Sequence, residues 1–234
     1  MKKLINENLS VKSVLVSLIG IFFISVGVAF NSNTALGNDP IGIFYDGIRA
    51  ILGLDLSQLG FISNFINIGL LLVLFVLNRK LINIGTFLYM IPYGFFVSIG
   101  SKLHPMIFTN DALVTRLLCG ASGITLIYVG LGMFIASNIG VDAFSGFFLT
   151  IAEKTGWSIQ RSKITMDVCL TIIGFALGGT FGLITVVCAA TCGPAVQFLT
   201  AFFKKVIYDV NPIAVVEEAV EGLVEETQNK VEFD

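Results

Sequence analysis

Asp39 and Asp142 stand 103 residues apart in the same setting, Gly37-Asn38-Asp39-Pro40 and Gly140-Val141-Asp142-Ala143. Each precedes a short apolar segment, 40–52 or 143–155, that ends near a glycine, Gly53 or Gly156. An aspartate followed by proline or alanine marks a helix start, because its side chain can accept backbone N–H groups that lack an intrahelical partner. Near the middle of a membrane, the same carboxylate at a helix N-terminus could hold a cation or a proton. Both readings, cap and ion or solute ligand, follow from these residues.

Asn64 and Asp167 form a second equivalent pair, each early in an apolar run. An acid inside such a run is costly and is a functional candidate by default. Lys163 lies four residues before Asp167 on the same helix face, so a simple salt bridge is the competing reading. Asn31 and Asn33 close one apolar run, and Asn138 occupies the matching place after another. These amides either line a cavity or satisfy the backbone where a helix ends. Asp46, Arg49, Glu153 and Lys154 sit late in the short segments and are expected to face water.

Catalytic chemistry finds little material. His104 is the only histidine and is expected in a loop, with no nucleophile or base arranged near it in sequence. Cys119, Cys169, Cys188 and Cys192 lie in apolar runs without the further thiolates or histidines of a metal site, and read as small packing residues. No phosphate loop and no basic, aromatic nucleic-acid surface occurs. The expectation is a protein that is not an enzyme, with no catalytic residue, no cofactor, no metal and no nucleic-acid partner.

The elements that must position these groups are membrane helices. With 55% hydrophobic and 13% charged residues, the chain lacks the polar surface of a soluble domain. Apolar runs at 13–30, 60–78, 82–101, 112–136, 164–178 and 181–203 approach or exceed the roughly 20 residues that cross a bilayer. The fifth is marginal, separated from the sixth by Gly178, Gly179 and Gly182. Segments 40–52 and 143–155, about 20 Å long as helices, are too short to span.

Sliding residues 20–53 forward by 103 positions superposes Gly20, Ile21, Ile24, Val26, Gly27, Gly37, Asp39, Phe44, Ile48 and Gly53 on Gly123, Ile124, Ile127, Val129, Gly130, Gly140, Asp142, Phe147, Ile151 and Gly156. Shared apolar composition does not readily supply glycines and an aspartate in register. The chain is a duplicated module, as transporter-like cores often are. Because residues 20–30 belong to the repeat, the start Met1-Lys2-Lys3 reads as the flank of a retained span rather than a cleaved signal peptide.

If six spans alternate, Lys2, Lys3, Lys12, Arg79, Lys80, Lys154, Arg161, Lys163, Lys204 and Lys205 share one side, against Arg49, Lys102 and Arg116. This bias predicts both termini in the cytoplasm. Three spans per half then make the halves inverted relative to one another. The formal charge is +5 up to Lys205 and −7 over 206–234. That acidic end carries Val216, Val220, Leu223 and Val224 at helical spacing after Pro212, a pattern for a short amphipathic helix.

The sequence Leu36-Gly37-x-Asp39-Pro40, a short apolar helix, Gly53-Leu54-x-Leu56-Ser57 and a long span resembles the YitT/YczE-like family of bacterial integral membrane proteins, over about 13–205. The second half departs from it at Ala143 and at the shortened Gly156-Trp157-Ser158. The resemblance implies an inner-membrane location and no assigned activity.

The expected architecture is all-α: a polytopic transmembrane bundle of six spans in two inverted three-span repeats, each with an additional short non-spanning helix. The divisions are 1–103, 104–205 and an acidic cytoplasmic tail at 206–234. The expected function is a small secondary transporter or channel-like protein of the cell (inner) membrane, with a substrate or ion site drawn from Asp39, Asp142, Asn64, Asp167, Asn31, Asn33 and Asn138. The alternative is a membrane-embedded substrate-binding or accessory subunit. The partners are the lipid bilayer, an unknown small solute or ion, and either further copies of the chain or a larger complex.

Overall fold

The computed structural model describes residues 10–82, 84–110 and 112–209, and all regular structure among them is helical. Eight α-helices follow in order: α1 Val11–Thr34, α2 Pro40–Ile51, α3 Leu59–Asn78, α4 Ile84–Ile107, α5 Leu113–Ser137, α6 Ala143–Thr155, α7 Ile159–Ala176 and α8 Leu183–Tyr208. The acidic segment expected to form an amphipathic helix lies outside the described residues.

Among the described residues five helices are long and apolar enough to cross a membrane: α1, α3 with its flanking 3₁₀ turns, α4, α5 and α8. The fifth expected span, 164–178, is not among them: α7 runs over that stretch, but its 18 residues include Arg161, Lys163 and Asp167 and set it apart in composition. Its outer stripe nevertheless exposes Ile164, Val168, Ile172 and Phe175, as α3 exposes Phe61, Phe65, Ile68, Leu72 and Val76. Continuous apolar stripes on outer faces suit lipid rather than water.

The segment boundaries follow local chemistry. Ser10 opens α1 by accepting the Ser13 N–H at 3.1 Å, and Ser158 opens α7 by accepting that of Arg161 at 3.2 Å. Ser57 sits inside a 3₁₀ turn, Leu56–Gln58, just ahead of α3, and the Gln58 side chain there accepts the Asp55 N–H at 3.1 Å. His104, expected in a loop, occupies the last turn of α4 and meets the Phe30 ring edge-on at 6.2 Å. The helix continues past Pro105 because Pro92 and Pro105 remove single hydrogen bonds without ending the ladder.

At the centre α1 crosses α5 antiparallel, and glycines let the backbones touch. A Cβ on Gly27 would lie 2.5 Å from the Gly123 carbonyl oxygen, and one on Gly20 would lie 2.7 Å from that of Gly130. α4 packs on α1, and α8 packs on α5. The short helices join the halves: α2 lies on α7, where a Gly47 Cβ would be 2.3 Å from the Gly174 carbonyl oxygen, and α6 lies on α3, where Gly146 faces buried Leu74.

Candidate functional site

The segment after α1 turns back along that helix. Asn38 is buried, and its amide nitrogen donates to the Val28 carbonyl at 3.1 Å and to Ser32 Oγ at 2.8 Å. Its Oδ1 accepts the Asp39 N–H at 2.9 Å. The N-terminus of α2 is thereby drawn back beside the last turns of α1 instead of continuing outward.

Asp39 and Asp142 occupy the N-cap positions of α2 and α6, and here the repeat breaks. Asp142 Oδ2 accepts the N–H groups of Phe144 and Ser145, both at 3.1 Å, as a capping carboxylate does. Asp39 makes no such side-chain bond, and its Oδ1 is shielded without a hydrogen-bond partner. The residue as a whole is half-buried. Burial pushes the Asp39 carboxyl up to about 6, and the Asp167 carboxylate adds to the rise, while Lys163 and the α2 backbone oppose it.

Both carboxylates act electrostatically on one tyrosine cluster, Tyr45 of α2 with Tyr89 and Tyr93 of α4. Tyr89 stacks on Tyr93 at 5.2 Å, Tyr45 tilts against Tyr93 at 6.0 Å and meets Phe144 edge-on at 5.7 Å. The Tyr45 hydroxyl donates to Asn67 Oδ1 at 3.1 Å, and the buried Asn67 amide nitrogen has no partner. Two helix starts, three phenols and unspent donors and acceptors therefore share one interior. Residue types of this kind, carboxylates at helix starts beside phenols, are those that bind small polar or charged species, cations included.

Among the other sequence candidates, Asp167 joins this interior through Asp39 but is also salt-bridged to Lys163 at 2.7 Å. Asn31 is fully buried with both amide atoms unpartnered, its Oδ1 pressed where a Gly123 Cβ would come within 2.2 Å. Asn64, Asn33 and Asn138 serve structure. The Asn64 Oδ1 accepts the Gly94 N–H at 2.9 Å, locking α3 to α4 just beyond Pro92. Asn33 bonds back to the Ala29 carbonyl at 2.8 Å, and Asn138 ends α5 in the left-handed region at φ 50°.

Asp46 corrects the expectation of a water-facing acid. It is buried, paired with Arg49 at 2.8 Å, and accepts both the N–H and the hydroxyl of Thr180 at 3.2 Å. This ties α2 to the turn between α7 and α8. Glu153 and Lys154, by contrast, are exposed as expected; Glu153 accepts from Asn78 at 2.6 Å. Among the described residues no three of histidine, cysteine, aspartate and glutamate are grouped as metal ligands.

The tyrosines and Asn67 escaped the sequence reading because aromatic residues on an apolar helix read as packing. A signal exists in a second register of 99 residues, in which Thr86, Gly94 and Val97 of α4 fall on Thr185, Gly193 and Val196 of α8. Tyr89 and Tyr93 then fall on Cys188 and Cys192.

Comparison with known proteins places the chain in a wider set. The model of a family of unknown function, DUF6198, matches residues 11–201. The chain is similar to the uncharacterized membrane protein YczE of Bacillus subtilis (strain 168), with 27% identity over 184 residues, 76% of this chain and 81% of that protein. It is likewise similar to an uncharacterized protein of Haemophilus influenzae, with 26% identity over 187 residues, 80% of this chain and 83% of the other. No solved structure matches.

Proposed function

The chain belongs to the DUF6198 family of membrane proteins, whose function is unknown, and on that premise we propose that it is a small secondary transporter or channel-like protein for a small solute or ion. The observation that carries this reading is that α2 and the first turn of α6 meet at one tyrosine cluster, Tyr45 lying against Tyr93 and Phe144, with the shielded Oδ1 of Asp39 unpartnered at the start of α2. Helix ends and unwound backbone near the membrane midplane are where such proteins bind ions and substrates. Asp142 spends its carboxylate on α6, so Asp39 is the group left to take a positive charge or a proton. No catalytic step and no cofactor enters this reading.

Six spans, counting α7, in inverted halves at 1–103 and 104–205 account for the packing. Exchanging each residue for its equivalent turns the Gly20 contact with Gly130 into the Gly123 contact with Gly27. Equivalent helices running antiparallel call for an axis in the membrane plane, since an axis along the normal would leave them parallel. The turns agree: Leu36 and Gly37 meet Gly182 and Thr185, while Ile139, Gly140 and Val141 meet Gly85 and Thr86. Orientation follows from the basic ends. Lys12 donates to the Ile207 carbonyl at the end of α8, and Arg79, Lys80 and Lys154 border one hollow where α3 and α6 end. With these groups in the cytoplasm, the protein is a multi-pass inner-membrane protein with both termini inside.

A second reading, an accessory or substrate-binding subunit of a larger complex, is favoured by the outer face of α8, where Leu183, Val186, Phe198 and Val206 are exposed. A thermal-shift ligand screen on purified protein identifies the solute, because a bound ligand raises apparent stability. Uptake or efflux of that solute by the lone protein in liposomes, lost in a folded Asp39→Asn variant, is the expected result. A stable complex with an ATPase and no flux without it would replace transport by the second reading.

A further inference from the structure

Equivalent helix pairs pack differently in the two halves. α4 lies against α3, and a Cβ on Gly94 would come within 2.2 Å of the Gly60 carbonyl oxygen and 2.5 Å of Asn64 Cγ. In the 99-residue register Gly193 of α8 takes the place of Gly94, yet a Cβ there would meet nothing within 4 Å. α7 has no extended packing on α8, although α3 and α4, their counterparts, do. One pair is shut and the other stands apart.

The gap has a chemical lining. On α7 stand Lys163 and Asp167, with side chains 49% and 25% exposed, and on α8 stand half-buried Cys192 and exposed Gly193. Asp39 lies within electrostatic reach of Lys163, Asp167 and Cys192. In the 103-residue register Lys163 and Asp167 stand where Gly60 and Asn64 stand in the shut pair. Asn64 accepts the Gly94 N–H, and Asp167 carries the same kind of acceptor on the helix that would meet Gly193. Glycine is, after proline, the poorest residue for an exposed helix interior. A close approach by a neighbouring helix gives Gly193 a reason that the present packing does not.

We propose that the gap between α7 and α8 is the open entrance to Asp39, and that α7 closes onto Gly193 as α3 is now closed onto Gly94. The proposal rests on the transporter reading above. Packed helix interfaces are bistable rather than continuously deformable, so the two pairs exchange between shut and apart, admitting solute from one side at a time. The occupant of the Gly193 face is thus α7 of the same chain, with the Lys163–Asp167 pair carried in against Asp39.

The test is a distance measurement between spin labels on the full chain in liposomes, in a background lacking the four native cysteines. Exposed Gln160 and Gln197 report on α7 and α8, and exposed Gln58 and Lys102 report on α3 and α4. The expected result is two distance populations at each pair, the shorter at one rising with the longer at the other. Gly193→Leu should empty the short α7–α8 population, and Lys163→Ala, which removes the side chain standing at the Gly60 position, should enlarge it. A single long α7–α8 distance in the unmodified chain and in both variants would overturn the proposal. So would a short distance between copies singly labelled at Gln197, because a second copy would then cover this face. Solute flux on the same liposomes separates the failures: flux with one fixed distance removes the gate and leaves transport standing.

Discussion

Replacing Asp39 by asparagine should stabilise the protein at neutral pH, although a wild-type acid is lost. Its carboxyl is raised from 3.8 to about 6, mainly by burial and then by Asp167. A shift of that size corresponds to about 3 kcal/mol of differential cost for the ionised form. In the folded protein the proton is held more tightly than in the unfolded chain. The stability contributed by Asp39 is therefore fully present below about pH 4 and lost as pH rises through about 6. Asparagine caps a helix as well as aspartate and carries no charge, so the variant escapes this loss. On the scale of 2–4 °C per kcal/mol for a chain of this length, the midpoint of thermal unfolding in detergent should rise by roughly 6–12 °C above pH 7. The difference should shrink towards zero near pH 4. Asp142→Asn is the control, since its side-chain oxygen accepts two N–H bonds that an asparagine oxygen can keep, so that this substitution should leave the midpoint nearly unchanged. Equal effects of the two substitutions, or an Asp39→Asn variant less stable than the parent at neutral pH, would refute the assignment of the shielded, unpartnered charge.

Gly27→Ala should cost about 1–3 kcal/mol, because its new Cβ would meet backbone 2.5 Å away, whereas Gly193→Ala should be neutral or gain up to about 1 kcal/mol; unfolding midpoints of the two variants compare them directly. Asp46→Ala should destabilise by about 3 kcal/mol or more by leaving Arg49 and the Thr180 N–H without their acceptor, and a midpoint within error of the parent would count against that buried pair. Single cysteines at Asn78 and Ser158, in a background without the native four, should resist an impermeant thiol reagent in intact cells while one at Pro105 labels; the opposite pattern would invert the topology.

Much of the architecture was written in local chemistry and periodicity. Apolar runs of bilayer length predict helices whatever their neighbours, so four of the six expected spans coincide with long apolar helices within a few residues at most ends, and the last extends further, to Tyr208. The paired glycines and aspartates are the sequence signal for a duplication, and Pro40 and Gly156 bounded the short helices because proline's fixed φ suits a first helical turn and glycine the left-handed residue after a last one. Three features needed the third dimension. Asp39 and Asp142 share a motif, but only the turn held by Asn38 leaves one carboxylate without the N–H groups that the other accepts. Asp46 reads as a surface acid until Thr180, 134 residues away, closes over it. Gly94 and Gly193 are equivalent in sequence, yet one is packed and the other bare. A sequence specifies which residue types stand at equivalent positions, because helix propensity and hydrophobic spacing act over one or two turns. Which of two equivalent groups is buried, paired or left open depends on contacts between distant segments, and these are decided only when the helices pack.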